Sequence, residues 1–288
     1  MRKFKEFVIE KLVFFCGFAS IIFVGLIFLF LAKEGLAVFK SVSPFDFLFG
    51  KNWYPISEPA QLEILPLILG SLLVTLGAAL ISIPIGVGCA VYIAEIAPVK
   101  IKEVLKAGIE LLAAIPSVVL GFIGMVTLVP LVRNVFHLPT GLTALSGSIM
   151  LAFMAMPTIV SVAEDALYSV PKNYKEGAFA LGATHWQTIW RVMLPAASSG
   201  ILAAIMLGIG RVIGETMAVM MITGNAAVIP NSIFAPVRTL TATIAAEMGE
   251  AVVGSEHYFA LFAIGIVLFV ISFAINVTAD LFLHKDQQ

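Results

Sequence analysis

The chain has 288 residues, of which 60% are hydrophobic and only 12% charged, with a formal net charge of −1. Soluble domains carry roughly 25% charged residues, so the composition excludes an ordinary soluble protein, and no nucleic-acid partner is expected. Five stretches without Asp, Glu, Lys or Arg, at 12–32, 64–94, 111–132, 134–163 and 257–279, run for 21, 31, 22, 30 and 23 residues. About 20 apolar residues cross a bilayer as a helix, so each is predicted to span. A sixth span, interrupted only by Arg211 and Glu215, completes an all-α polytopic membrane protein of six transmembrane helices.

The first helix lies in an N-terminal unit, 1–63. Its apolar run exceeds the ~7–15 residues of a signal-peptide core, and "FLAKEG" after it has no Ala-x-Ala site, so an uncleaved helix is expected. The segment 33–63 carries Pro44, Pro55, Pro59, Trp53 and Tyr54. Such aromatics suit the membrane–water boundary, and an interfacial hairpin or short helix is predicted there. The unit 64–284 follows, with helices at about 64–95, 106–132, 140–166, 196–224 and 257–282.

Pro84, Pro116 and Pro157 fall inside spans and are expected to kink them. Glu110, Glu164 and Asp165 sit at span ends, where snorkelling or capping explains them. In the fifth helix of the series Gly200, Ala204 and Gly208 repeat every four residues, and Gly210 and Gly214 form a second pair around Arg211. Small residues at this spacing let helices approach closely, so the bundle interior or a partner subunit should cover that face.

With both termini on one side, that side holds Arg2, Lys3, Lys5, Lys11, Lys100, Lys102, Lys106, Lys172, Lys175, Arg191 and Lys285, and the other holds Lys33, Lys40, Lys51, Arg133 and Arg238. The excess of cations predicts that both termini face the cytoplasm. Cys16 and Cys89 lie in different spans and form no Cys-x-x-Cys, and the four histidines have no metal-ligand spacing. A phosphate-loop motif needs Gly-Lys-Ser/Thr, whereas Gly50-Lys51 precedes Asn52. The chain is therefore not expected to be an enzyme or to bind a cofactor, and any nucleotide chemistry belongs to another chain.

Between the fourth and fifth spans, residues 171–194 are too polar to cross but helical in pattern. Ser169 and Pro171 offer a start, and Tyr174, Ala178 and Leu181 share a face. Gly182 supplies a left-handed stop and Thr184 a second cap. Trp186, Ile189, Trp190 and Met193 then form another stripe. On the residues alone this is a surface-lying amphipathic elbow. It also resembles the "EAA" coupling loop of ABC importer permeases, through Glu176-Gly177-Ala178, then Gly182, then Leu194-Pro195. Gly177 and Val192 depart from the family pattern without changing its spacing.

"GRVIGETMAVMMITGN" (210–225), "IPSVVLGFIG" (115–124) and "TLTATIAAEMGEA" (239–251) resemble the PstC-type channel subunit of bacterial phosphate importers. That resemblance implies the type I ABC importer permease fold, in which the elbow docks on an ATPase that carries ATP and Mg. It also implies a second, PstA-like permease, two PstB-like ATP-binding subunits and an external PstS-like phosphate-binding protein, in a bacterial inner membrane. Arg211 and Glu215 are four apart, so an ion pair on one helix face is expected. The guanidinium suits a phosphate oxyanion, and intramembrane ionisable residues are candidates for a pathway. Thr216, Ser117 and Arg238 are weaker candidates, Arg238 more as an outer-surface charge. The rival readings are an ABC importer for sulfate, molybdate or an amino acid, a membrane-embedded hydrolase, and a passive channel.

Overall fold

The computed structural model describes residues 2–285. The side chains of Arg2, Lys3, Lys5 and Lys285, which enter the charge count above, lie outside the described ones. Helix α1 (Arg2–Gly35) leads through a 3₁₀ turn, Leu36–Lys40, to α2 (Pro44–Phe49) and a small hairpin of β1 (Trp53–Tyr54) and β2 (Gln61–Leu62). Then come α3 (Leu65–Val91), α4 (Val99–Ala114), α5 (Ser117–Ile123), α6 (Val129–Val135) and α7 (Ala144–Tyr168). The elbow is α8 (Lys172–Ala180), α9 (His185–Thr188) and α10 (Leu194–Ala196). Helices α11 (Ser198–Ile213), α12 (Met217–Ile222), α13 (Leu240–Glu247) and α14 (Glu256–Lys285) complete the chain.

Five of these segments are long and apolar enough to cross a membrane, and a sixth arises if His185–Ala196 and Ser198–Ile213, bent by 71°, count as one span. Helix α7 is the hub: 61% of its span is buried, against 22% or less for the others. Glycines bring its neighbours close. A Cβ added at Gly86 of α3 would lie 2.8 Å from Ile159 Cγ2, and one at Gly208 of α11 would lie 2.5 Å from Ile159 Cγ1. At Gly200 it would meet the Ala166 methyl at 2.4 Å. The stripe Gly200, Ala204, Gly208 thus seats α11 on α7. Ser148 adds a hydrogen bond from its hydroxyl to the Val74 carbonyl of α3 at 3.2 Å.

The ends of α3 and α7 and the start of α11 share an apolar cluster with Ile189 and Met193 of the elbow. The starts of α3 and α14 share another with Val38, Phe47, Trp53 and Leu62. These clusters define an elbow end and a far end. Helix α1 packs along α14, with Phe28 against Phe269 and Phe30 against Phe262.

Four expectations need correction. The helix expected at 106–132 is interrupted at Ile115–Pro116, where both residues are extended. The residue before a proline is pushed out of the α region, and here nothing restores the turn. Pro84 and Pro157, by contrast, stay inside continuous helices. The helix expected at 196–224 stops at Ile213 and resumes at Met217. Trp53 is 2% exposed rather than at a boundary, because the 36–62 segment folds onto α14. Glu164 is also 2% exposed instead of snorkelling; Lys102 and Lys106 of α4 reach it at 3.2 and 2.9 Å. Burial lowers the pKa of Lys102, but its hydrogen bonds to Tyr168 and Glu164 outweigh this and leave it above the ordinary lysine value.

The close α7–α11 contact predicts a contrast between two glycines only two residues apart on α11. Gly208→Val should destabilise the purified chain in detergent by about 1–3 kcal/mol through overpacking against Ile159. Gly210→Val, whose added Cβ meets nothing within 4 Å beyond its own helix backbone among the described residues, should leave the melting temperature unchanged. Equal losses at both positions would contradict this seating of α11.

Candidate functional site: a broken helix with an open cation

Helix α11 ends with the amide of Gly214 bonded to the Gly210 carbonyl at 3.3 Å, and Glu215 N–H bonds the Val212 carbonyl at 3.2 Å. The backbone then turns through Thr216, whose hydroxyl donates to the Gly214 carbonyl at 3.1 Å. Helix α12 restarts, and the Glu215 carboxylate accepts the Ala218 N–H at 3.2 Å. That bond satisfies one orphan donor of the new helix and places negative charge at its positive end.

The expected Arg211–Glu215 ion pair is absent among the described residues. The i,i+4 relation that predicts it requires an unbroken helix, and the break separates the two. Arg211 instead lies exposed at the last turn of α11, beside exposed Gly210 and Gly214. Counting 1.5 Å per residue, it stands roughly 20 Å along the axis from Ser198, a length comparable with most of a ~30 Å hydrocarbon core. The Gly210/Gly214 face therefore lies open, not inside this chain's bundle.

Two neighbouring elements frame the break. Gly121 of α5 lets α12 approach, since a Cβ there would be 2.9 Å from the Ala218 Cα. Ser117 begins α5, half-buried. From the other side Thr241 of α13 donates its hydroxyl to the Glu215 carbonyl at 2.9 Å. Glu215 and Thr216 thus lie in the break, just beyond the last turn of α11 that carries Arg211, with Ser117 on an adjoining element.

Arg238 does not join them. It is no solvated surface charge either: its guanidinium pairs with Glu247 and its Nε donates to the Asn225 carbonyl at 3.0 Å. Glu247 also accepts from the Trp53 indole at 3.1 Å and lies 2.9 Å from His257 Nε2. This four-residue cluster escaped the sequence reading, because its members are scattered from 53 to 257. The one signal for Glu247 was an acid in an otherwise apolar helix.

At the elbow, Ser169 donates back to the Asp165 carbonyl at 2.8 Å and closes α7 instead of starting α8, and Pro171 precedes α8 instead of entering its first turn. Gly182 adopts φ +84, with its own N–H bonded to Phe179 and that of Ala183 to Ala178, a Schellman stop. Thr184 and Gln187 form a reciprocal capping box. Ala178 is buried, but Tyr174 is exposed and Leu181 is 91% exposed, so the expected stripe does not turn inward. Glu176 and Gly177 are exposed too, while Lys175 pairs with Glu95 in the π-helical turn that follows α3. A π-helical turn at Ile189–Met193 carries the chain through Leu194 and Pro195 into the 71° bend before α11.

Residues 82–285, which hold the elbow, the bend and the break, match the model of the family described as binding-protein-dependent transport system inner membrane component. The chain belongs to that family. It is the membrane permease subunit of an ABC importer, a multi-pass membrane protein. Among its relatives, the "Probable ABC transporter permease protein YqgH" of Bacillus subtilis (strain 168) is 44% identical over 85% of this chain and 80% of its own length. The "Phosphate transport system permease protein PstC" of Haemophilus influenzae is 36% identical over 93% of this chain and 91% of its own. A solved "bacterial ABC transporter involved in the import of the acidic polysaccharide alginate" shares the fold over 99% of both chains, with TM-score 0.66 and 16% identity.

The capping role of Glu215 can be separated from the ion pair expected of it. Glu215→Gln keeps an acceptor for the Ala218 amide, so the loss should stay within about 1 kcal/mol, the size of a charge–dipole term. Were Glu215 the buried partner of Arg211, removing its charge would cost about 3–5 kcal/mol. Thermal unfolding of the purified chain distinguishes the two.

Proposed function

We propose that this chain is the phosphate-translocating subunit of its importer, and the observation that carries the reading is the exposed guanidinium of Arg211 at the helix break, which pairs with no acid among the described residues. An uncompensated cation at this depth costs at least ~2.5–3.5 kcal/mol against lipid. The open face around Gly210, Arg211 and Gly214 is therefore covered by a homologous, PstA-like permease, with a polar route between the two subunits. The relatives named for phosphate transport support the choice of solute.

In this reading Arg211 donates to the oxyanion of phosphate. The Glu215 carboxylate, with one oxygen committed to α12, uses the other to accept the hydroxyl proton of monohydrogen phosphate, a group that sulfate lacks. Thr216 and Ser117 add hydroxyls along the route; Arg238 has no place in it. Two PstB-like subunits bind and hydrolyse ATP with Mg and seat the elbow, whose exposed Tyr174, Leu181 and Trp186 suit an apolar groove. Glu176, Gly177 and Ala178 lie along the docked helix. A push there reaches α11 through the bend at Leu194–Pro195 and re-aims the face bearing Arg211. Both termini and the elbow are cytoplasmic, the far end is external, and a PstS-like protein delivers the anion there.

Uptake of radiolabelled phosphate by the reconstituted complex tests the assignment. Arg211→Ala should reduce uptake by about 100-fold or more, in line with 3 kcal/mol for a charged hydrogen bond, with normal complex assembly. Arg211→Lys should retain part of it, and excess sulfate should not compete with the wild type. Full uptake by Arg211→Ala, or inhibition by sulfate, would contradict the assignment.

A further inference from the structure

At the far end a cavity of about 960 Å³ opens between the 53–57 turn, residues 227–228 and the segment 246–257. Glu247 and its three partners, Trp53, Arg238 and His257, all line it. Arg238 leaves the N-terminal side of α13, and its guanidinium reaches Glu247 in the last turn of that helix. The side chain is thus a strap along a rod of about 12 Å, at 1.5 Å per residue.

The other end of the rod is equally fixed. Thr239 caps α13, accepting the Ala242 N–H at 3.2 Å, and its hydroxyl lies 3.1 Å from that of Thr241. Thr241 in turn donates to the Glu215 carbonyl in the helix break. Leu240 N–H bonds the Ser71 hydroxyl of α3 at 2.9 Å, and a Cβ at Gly70 would lie 2.4 Å from the Arg238 carbonyl. Glu247 and the Glu215 turn are therefore the two ends of one bonded path through α13.

We propose that Glu247 is a positioning residue that relays occupancy of the far-end cavity to the helix break beside Arg211. The occupant is a surface segment of the importer's solute-binding protein, a step that rests on the external placement of the far end given above. Glu247 touches no solute in this account; it acts through Arg238, α13 and Thr241.

The assembled complex in proteoliposomes, with its phosphate-loaded binding protein, tests the relay. Glu247→Gln should lower binding-protein-stimulated ATP hydrolysis by about tenfold, within the usual range of coupling between sites, while hydrolysis without the binding protein is unchanged. Thr241→Val, which removes one hydroxyl at the opposite end of the rod, should lower the same ratio. The double variant should be no worse than the worse single, as for two links in one line. Wild-type stimulation in Glu247→Gln, or losses that multiply in the double variant, would overturn the relay. Should Glu247→Gln not assemble, undiminished stimulation in Thr241→Val would overturn it alone. A wild-type complex that is stimulated but moves no phosphate would refute the assigned solute and leave the relay standing.

Discussion

Inside a bilayer every charge and every unpaired backbone group must be covered by protein or by water, and that constraint organises this molecule. Breaking α11 at Gly214 frees carbonyl and amide groups that no lipid can satisfy. The chain answers locally: Thr216 and Thr241 donate to two of the carbonyls, and the Glu215 carboxylate takes an amide of α12. Among the described residues Arg211 has no such answer. On the proposed reading, a second permease subunit covers its open face.

Rigid packing and a movable element are both needed for such a site, and the glycine contacts divide the molecule accordingly. Around α7 the helices α3 and α11 are held where backbone nearly touches side chain, at Gly86, Gly200 and Gly208. At the elbow end, a π turn, a proline and a 71° bend join the polar lever to α11. Packed cores shift between discrete arrangements instead of deforming continuously. In the proposed mechanism, a push on the elbow is therefore passed to α11 as a whole.

Much of this was legible in the sequence because it follows from one-dimensional signals. Uncharged runs located the spans, and Gly182 and Thr184 announced a left-handed stop and a new cap through local chemistry. The break at Gly214 was not, since an apolar run reads the same whether the helix continues or restarts, and the four-residue spacing of Arg211 and Glu215 argued for continuity. Pro116 likewise cannot be told from Pro84 and Pro157 by type; packing decides which proline ends a helix. Glu247 and Glu164 draw their partners from α4, β1, α14 and the loop before α13, contacts that only the tertiary fold creates.

Access to the face that bears Arg211 tests the central claim most directly. In a Cys16→Ser, Cys89→Ser background, Gly210→Cys places a thiol where, among the described residues, nothing beyond its own helix backbone lies within 4 Å. In the assembled complex, a charged, membrane-impermeant thiol reagent should modify it from one side without ATP and from the opposite side when ATP is trapped, with phosphate protecting. Modification only by a lipid-soluble reagent, in both states and regardless of phosphate, would place the guanidinium's face against acyl chains and contradict the account.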